Sequence, residues 1–206
     1  MLTLYALKPR FQRMLAPAAR RLLGLGVTAN QVTWFALGLS AVYGRLLAAV
    51  PGPLLLLGVP AILLLRMGLN AIDGMMARAG NQASPSGFAL NEIGDVVADI
   101  ALYLPLVMVM APQAPMLAAA TVAAFALAEF AGVLGAAAGS SRRYDGPFGK
   151  SDRALFFAAS AVLIALVNIP AALGEALVAT ALALALVTTA NRVRALVHEH
   201  HHGRLD

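Results

Sequence analysis

Asn70 and Asp73 lie three residues apart, and Asn91, Asp95 and Asp99 recur every four. At helical spacing each set forms a single stripe, and Arg66 stands one turn before Asn70 on the same face. Between the two stripes, Gly80, Asn81, Ser84, Pro85, Ser86 and Gly87 mark a turn. If the two helices run antiparallel about Gln82 and Ala83, residues at equal depth have numbers adding to about 165, at roughly 1.5 Å of depth per residue. That sets Asn70 level with Asp95, Asp73 near Asn91 and Glu92, and Arg66 level with Asp99. Oxygen donors then face one another in a place where carboxylates are costly unless they are paired, hydrated or bound to a cation. A donor set made only of oxygen suits Mg²⁺, Mn²⁺ or Ca²⁺ better than zinc. Gly74 leaves room for a ligand beside Asp73, and Arg78 offers a guanidinium fork matched to phosphate. The chemistry this equipment suits is the handling of a phosphate-bearing substrate by way of a divalent cation.

The elements that must carry these residues are membrane helices. The 206 residues are 60% hydrophobic and only 12% charged, with a mean hydropathy of +0.78. This composition predicts an all-α integral membrane bundle. Pro/Gly turns divide it into six transmembrane helices, expected at about 31–50, 54–78, 87–110, 116–139, 154–167 and 173–193. Ahead of them, residues 1–26 mix Lys8, Arg10, Arg13, Arg20 and Arg21 with Leu4, Leu7, Phe11, Met14, Leu15, Leu22 and Leu23. They read as an amphipathic juxtamembrane segment on the anionic leaflet, with Pro9 and Pro17 dividing it into short pieces. The membrane domain spans 27–197, and a disordered His-rich tail, 198–206, closes the chain. No internal repeat and no soluble domain is evident.

The chain has no cysteine, which excludes a disulfide frame, a thiol nucleophile and cysteine-bound zinc. All four histidines fall at 198–202, so acid–base chemistry in the body rests on carboxylates, Lys150, arginines or tyrosines. A net charge of +5 and a pI near 10.2 would suit nucleic acid as a partner, but the placement of the charge argues against it. With six spans starting inside, every Lys and Arg except Arg45 and Arg66 falls on the side of the 78–87 turn, the 140–153 loop and both termini. The positive-inside rule therefore puts that side in the cytoplasm, as in a bacterial inner membrane.

The spacing resembles the CDP-alcohol phosphatidyltransferase family, whose pattern is Asp-x2-Asp-Gly-x2-Ala-Arg-x8-Gly-x3-Asp-x3-Asp. Asp73, Gly74, Ala77, Arg78, Gly87 and Asp95 match in identity and register, and Asn70 and Asn91 stand where the pattern has Asp. The resemblance implies a transferase that moves a phosphatidyl group from CDP-diacylglycerol to an alcohol acceptor, releases CMP and uses one or two ions of Mg²⁺ or Mn²⁺. It implies Asn70, Asp73, Asn91 and Asp95 at the metal positions, with Asp95 as ligand or base. It also implies Gly74, Ala77, Arg78 and Gly87 around the CDP-lipid. Thr28–Thr33 resembles the family's opening of the first span, which brings Asn30 and Thr33 near the donor; helix capping explains these residues as well. In the loop SSRRYDGPFGKSDR, Arg142, Arg143 and Lys150 are expected to hold phosphate or the acceptor, with a positive-inside anchor as the alternative.

Two asparagines in place of aspartates reduce the charge available to an ion. The site then uses one ion, or Glu92 or Asp99 makes up the charge, or the protein binds CDP-lipid in a catalytically weakened or regulatory role. A working enzyme is the preferred reading, because Asp73, Arg78 and Asp95 occur together. A transporter ranks last, since the polar groups gather toward one end of the bundle. Deeper in the bundle, Arg66, Asp99 and Glu129 are expected to neutralise one another. The Gly135–Gly139 spacing suits close packing within the bundle, with a homodimer seam as the alternative.

Overall fold

The computed structural model describes residues 8–139, 141–167 and 169–202. Leu4 and Leu7 of the amphipathic segment, Ser140, Asn168 and residues 203–206 of the expected tail lie outside the described residues, as do the side chains of His200, His201 and His202. Seven helices make up the described chain: α1 (Lys8–Gly24), α2 (Ala29–Ala49), α3 (Pro53–Ala79), α4 (Pro85–Met110), α5 (Pro115–Ala137), α6 (Lys150–Leu166) and α7 (Ala171–His202). Helices α2, α3, α4, α5 and α7 are each long and apolar enough to cross a membrane. At 17 residues α6 lies at the short end of the range that spans a hydrocarbon core. The molecule is an integral membrane helical bundle of six spans preceded by α1.

Local chemistry sets the helix ends. Thr28 caps α2 reciprocally: its hydroxyl accepts from the Gln31 amide at 3.3 Å, and its own amide donates to Gln31 Oε1 at 2.9 Å. Ser84 caps α4 by accepting from the Gly87 amide at 3.0 Å, with Pro85 at the first helical position. Between α3 and α4, Asn81 takes the left-handed backbone conformation (φ 49°) that its short polar side chain tolerates. The turn is tied to the start of α2, where the Ala29 amide donates to Gln82 Oε1 at 2.8 Å.

The spans close into a ring in the order α6, α3, α2, α4, α5, α7, with α7 returning to α6. Gly44 allows the tightest approach of α2 to α4, because a side chain there would run into the backbone of Ala101. One large apolar core, with Leu47, Val59, Leu102, Leu106, Val107 and Val178 fully buried, fills most of the ring. Tyr103, Phe125, Phe148, Phe156 and Phe157 stack through it at centroid distances of 5.1–6.1 Å. Apolar side chains such as Trp34, Phe35 and Phe130 remain exposed, as a lipid-facing surface requires.

Two expectations are corrected. Helix α1 runs unbroken through Pro17, and Pro9 sits in its first turn, where a missing amide donor costs nothing. Packing holds it together: Ala19, Leu15, Leu22 and Leu23 join Ile72 and Met76 of α3 in a second core. Helix α7 continues past the expected end at Val193 and is still helical at His202, where a disordered tail was expected. Arg143 supports this extension by bonding the Ala195 carbonyl at 3.2 Å and pairing with Glu199.

Candidate functional site

A cavity of about 700 Å³ opens at the end of the bundle where the α3–α4 turn and the α5–α6 loop meet. Of the site residues expected from sequence, Asn30, Thr33, Asn70, Asp73, Gly74, Ala77, Arg78, Gly87, Asn91, Asp95, Arg142 and Lys150 all line it. Arg143 does not. The helical register explains the gathering: α3 presents Asn70, Asp73, Ala77 and Arg78 on one face, and α4 presents Gly87, Asn91 and Asp95 toward it.

The antiparallel register holds at two levels. Asn70 donates to Asp95 Oδ1 at 2.5 Å, and Arg66 pairs with Asp99 Oδ1 at 2.5 Å. Asp73 is buried, and its Oδ2 accepts from the Thr33 hydroxyl at 2.9 Å. Its Oδ1 is buried without any partner. An orphaned carboxylate oxygen beside a polar cavity is costly unless a ligand completes it. Asp95 differs, since Lys150 pairs with its Oδ2 while Asn70 holds Oδ1. Arg78 is exposed and makes no hydrogen bond or ion pair among the described residues. Its guanidinium lies beside Gly74, where an added Cβ would be 3.7 Å away, so it is available to an anion.

Below the cavity the expected triad is a larger network. Arg66 reaches Asp99 but not Glu129; Arg153 links the two, at 3.2 Å from Asp99 and 2.6 Å from Glu129. Arg153 is 1% exposed and stacks over Phe125 at 4.7 Å. Lys150 (3.9 Å), Arg142 (3.6 Å) and Arg192 (3.9 Å) surround Glu129 at longer range. Glu92 is taken up by Arg142. Burial works against the Arg142 charge, yet Glu92, Tyr144 and Glu129 together hold its pKa above the ordinary arginine value. Neither Glu92 nor Asp99 therefore supplements the donors around Asp73.

Sequence reasoning missed several cavity residues. Phe11 and Gln12 of α1 and Arg192 of α7 line it, and Arg192 donates to the Ala128 carbonyl and, at 3.3 Å, to that of Asp145. Gly146 (φ 120°) lets the loop press onto Thr188 of α7, whose hydroxyl accepts from the Phe148 amide at 3.0 Å. Arg192 and Arg153 look like membrane-end anchors in sequence; a charged residue on the buried face of an otherwise apolar helix was the available signal.

Oxygen donors of this kind are those a hard cation takes. Asp73 supplies an unsatisfied anionic oxygen, and Asn70 and Asn91 supply neutral amides. Among the described residues no group of three or more His, Cys, Asp or Glu side chains could hold a metal ion.

A polar, charge-lined cleft at one end of a membrane-helix bundle is the arrangement these elements define. The fold is that of Mycobacterium tuberculosis phosphatidylinositol phosphate synthase (PgsA1). Its crystal structure with CDP-DAG bound matches with a TM-score of 0.73 at 18% identity, over 89% of this chain and 94% of that one. The same synthase in complex with manganese and citrate matches with a TM-score of 0.71 at 18% identity, over 88% of both chains. No protein-family model matches the chain. The motif residues thus gather at one end of the fold that this synthase also has. In sequence it is 46% identical over 156 residues to the inner membrane protein YnbA of Escherichia coli K12, which covers 76% of this chain and 77% of that protein.

Proposed function

We propose that the protein transfers a phosphatidyl group from CDP-diacylglycerol to an alcohol and releases CMP. The observation that carries this reading is the buried, partnerless Oδ1 of Asp73 beside a cavity that Asp95, Arg78, Arg142 and Lys150 also line. Asp73 would hold a divalent cation, Mg²⁺ or Mn²⁺, with Asn70 and Asn91 as neutral donors. When bound, that cation supplies charge neutralisation on the donor's diphosphate. The same fold binds CDP-DAG in the mycobacterial synthase and forms a complex with manganese, which supports both assignments.

The chain's own residues divide the remaining work. Arg78 binds a phosphate of the donor, while Asn30, Thr33, Gly74, Ala77 and Gly87 shape the wall against which it rests. The acceptor's hydroxyl oxygen attacks the lipid-side phosphorus. The bond from that phosphorus to the bridging oxygen breaks, and CMP leaves with the electron pair. Asp95 takes the hydroxyl proton, and the adjacent Lys150 ammonium and Asn70 amide orient its carboxylate. Arg142 and Arg192 place positive charge at the other side of the cavity, which favours an anionic acceptor. The lipid tails stay in the bilayer, and the cleft and both termini face the cytoplasm, where the basic residues collect.

The test is CMP release from purified protein supplied with CDP-diacylglycerol, Mg²⁺ or Mn²⁺ and a panel of alcohols, with the lipid products identified by mass. Turnover with one acceptor supports the transferase. Retained CDP-lipid binding with no CMP from any acceptor assigns the protein instead to the binding or regulatory role that Asn70 and Asn91 suggest.

A further inference from the structure

We infer that Glu129 selects the acceptor: its Oε2 takes a hydrogen bond from a second donor group, hydroxyl or ammonium, on an anionic alcohol held by Arg142 and Arg192. This inference rests on the reading of the cavity as the site of transfer to an alcohol. Four acids line that cavity, and three have other work. In that reading Asp73 holds the cation and Asp95 takes the proton, while Asp152 caps α6 by accepting from the Gly149 amide at 3.2 Å. Glu129 is left over. Its Oε1 accepts from Arg153 at 2.6 Å, which anchors the carboxylate in the bundle. Its Oε2 is turned to the cavity and has no donor within hydrogen-bond distance among the described residues, Arg142 standing at 3.6 Å and Lys150 at 3.9 Å.

The guanidiniums beside Glu129 are held by other partners. Arg142 pairs with Glu92, and Arg192 donates to the carbonyls of Ala128 and Asp145. Glu129 is therefore not needed to fix either one, and for binding a bare anion it is a handicap. An anion seated between Arg142 and Arg192 has the carboxylate as its neighbour, 3.6 Å from one guanidinium and 3.9 Å from the other, and like charges repel. A ligand that sets a hydrogen donor beside its anionic group converts that repulsion into a charge-assisted hydrogen bond. The attacking hydroxyl cannot serve, because its proton goes to Asp95. The acceptor therefore carries an anionic group, the reacting hydroxyl and one further donor, as a polyol phosphate or a hydroxy amino acid does. An analogue without that donor leaves the Glu129 oxygen unpaired, which is how a polar site rejects a near-isostere.

The experiment measures, by calorimetry, the binding of matched hydroxy anions to the purified full-length protein in micelles with CDP and Mn²⁺. CMP release is followed with the same compounds and CDP-diacylglycerol. One pair is glycerol phosphate and its analogue without the middle hydroxyl; the other is serine and its analogue without the amine. In one pair or both, the compound with the extra donor is expected to bind about 10- to 100-fold more tightly, the first pair reporting a hydroxyl and the second an ammonium. In Glu129→Gln the amide oxygen stays with Arg153 and the amide nitrogen faces the cavity, so the gap should close to within about threefold. The two analogues should bind Glu129→Gln no more weakly than the parent, because a negative charge has left their surroundings. Glu129→Asp, which keeps the charge on a shorter side chain, should retain part of the gap. Equal affinities in both pairs, no binding of any of the four, or a full gap in Glu129→Gln overturns the inference. Weakening of all four compounds in Glu129→Gln marks a purely structural role and overturns it too. The transferase reading fails separately. A gap in binding without CMP release sinks only the reaction, whereas CMP release with equal affinities sinks only the role of Glu129.

Discussion

Replacing Arg153 with methionine removes the cation that joins the two deepest acids of the protein. Asp99 loses a contact at 3.2 Å but keeps Arg66 at 2.5 Å, so it stays paired. Glu129 loses its close partner at 2.6 Å and keeps only cations at 3.6–3.9 Å. Taking one partner from a buried ion pair costs about 3–5 kcal/mol, and the distant cations hold the value near the lower end, at about 3 kcal/mol. The guanidinium over Phe125, at 4.7 Å, adds about 1 kcal/mol. The expected loss is therefore about 4 kcal/mol, measured by equilibrium unfolding in mixed micelles. Glu129→Gln alone should also destabilise, by leaving Arg153 with Asp99 only. In the double variant neither group faces an uncompensated charge, so its loss should fall short of the sum of the singles by about 2 kcal/mol. Additivity of the two changes to within about 0.5 kcal/mol would refute the claim that Arg153 and Glu129 act as a buried pair.

Four further outcomes follow from the same geometry. Asp73→Asn should lower CMP release by about a hundredfold or more while leaving the unfolding midpoint close to that of the parent, because charge on the reacting phosphate depends on it. Arg78→Ala should leave stability within about 0.5 kcal/mol, since the side chain is exposed and uncommitted. It should raise the KM for CDP-diacylglycerol about 10- to 100-fold, the worth of one charge-assisted hydrogen bond. Arg143→Ala should leave turnover unchanged where Arg142→Ala lowers it, and should speed proteolysis near Ala195 by releasing the end of α7. Thr28→Ala should cost about 1 kcal/mol of unfolding free energy through loss of the α2 cap.

Much of the fold was legible because it is written in local chemistry. Apolar stretches of membrane-crossing length, separated by Pro/Gly turns, put the limits of the spans, the C-terminal end of α7 apart, within a few residues of those observed. The two departures have non-local causes. Pro17 signals a break only while α1 is considered by itself, whereas the packing of Leu15 and Leu22 on α3 keeps the helix continuous. The length of α7 depends on Arg143, some fifty residues earlier, reaching Ala195 and Glu199. The order of the ring was equally hidden. That α3 packs on α6 and α5 on α7 follows from the shapes of whole faces, and hydropathy does not encode which apolar face meets which.

The site was legible to the extent that one turn carries it. Counting depth from the α3–α4 turn paired Asn70 with Asp95 and Arg66 with Asp99 correctly, because two helices joined by a short turn have only one register. The same counting failed for Glu129, which lies at comparable depth on α5 but is reached by Arg153 instead of Arg66. Depth alone says nothing about angular position around the ring. Lys150 shows most clearly what this leaves out. By sequence it is one basic residue in a polar loop, better suited to a phosphate than to anchoring at a membrane surface. In the structure it opens α6 and meets Asp95, fifty-five residues away in the chain. The two asparagines were visible from the start as missing charge. Whether that charge is missed depends on which cations already stand in the cavity: Lys150 pairs with Asp95, and four basic side chains meet four acidic ones in the lining.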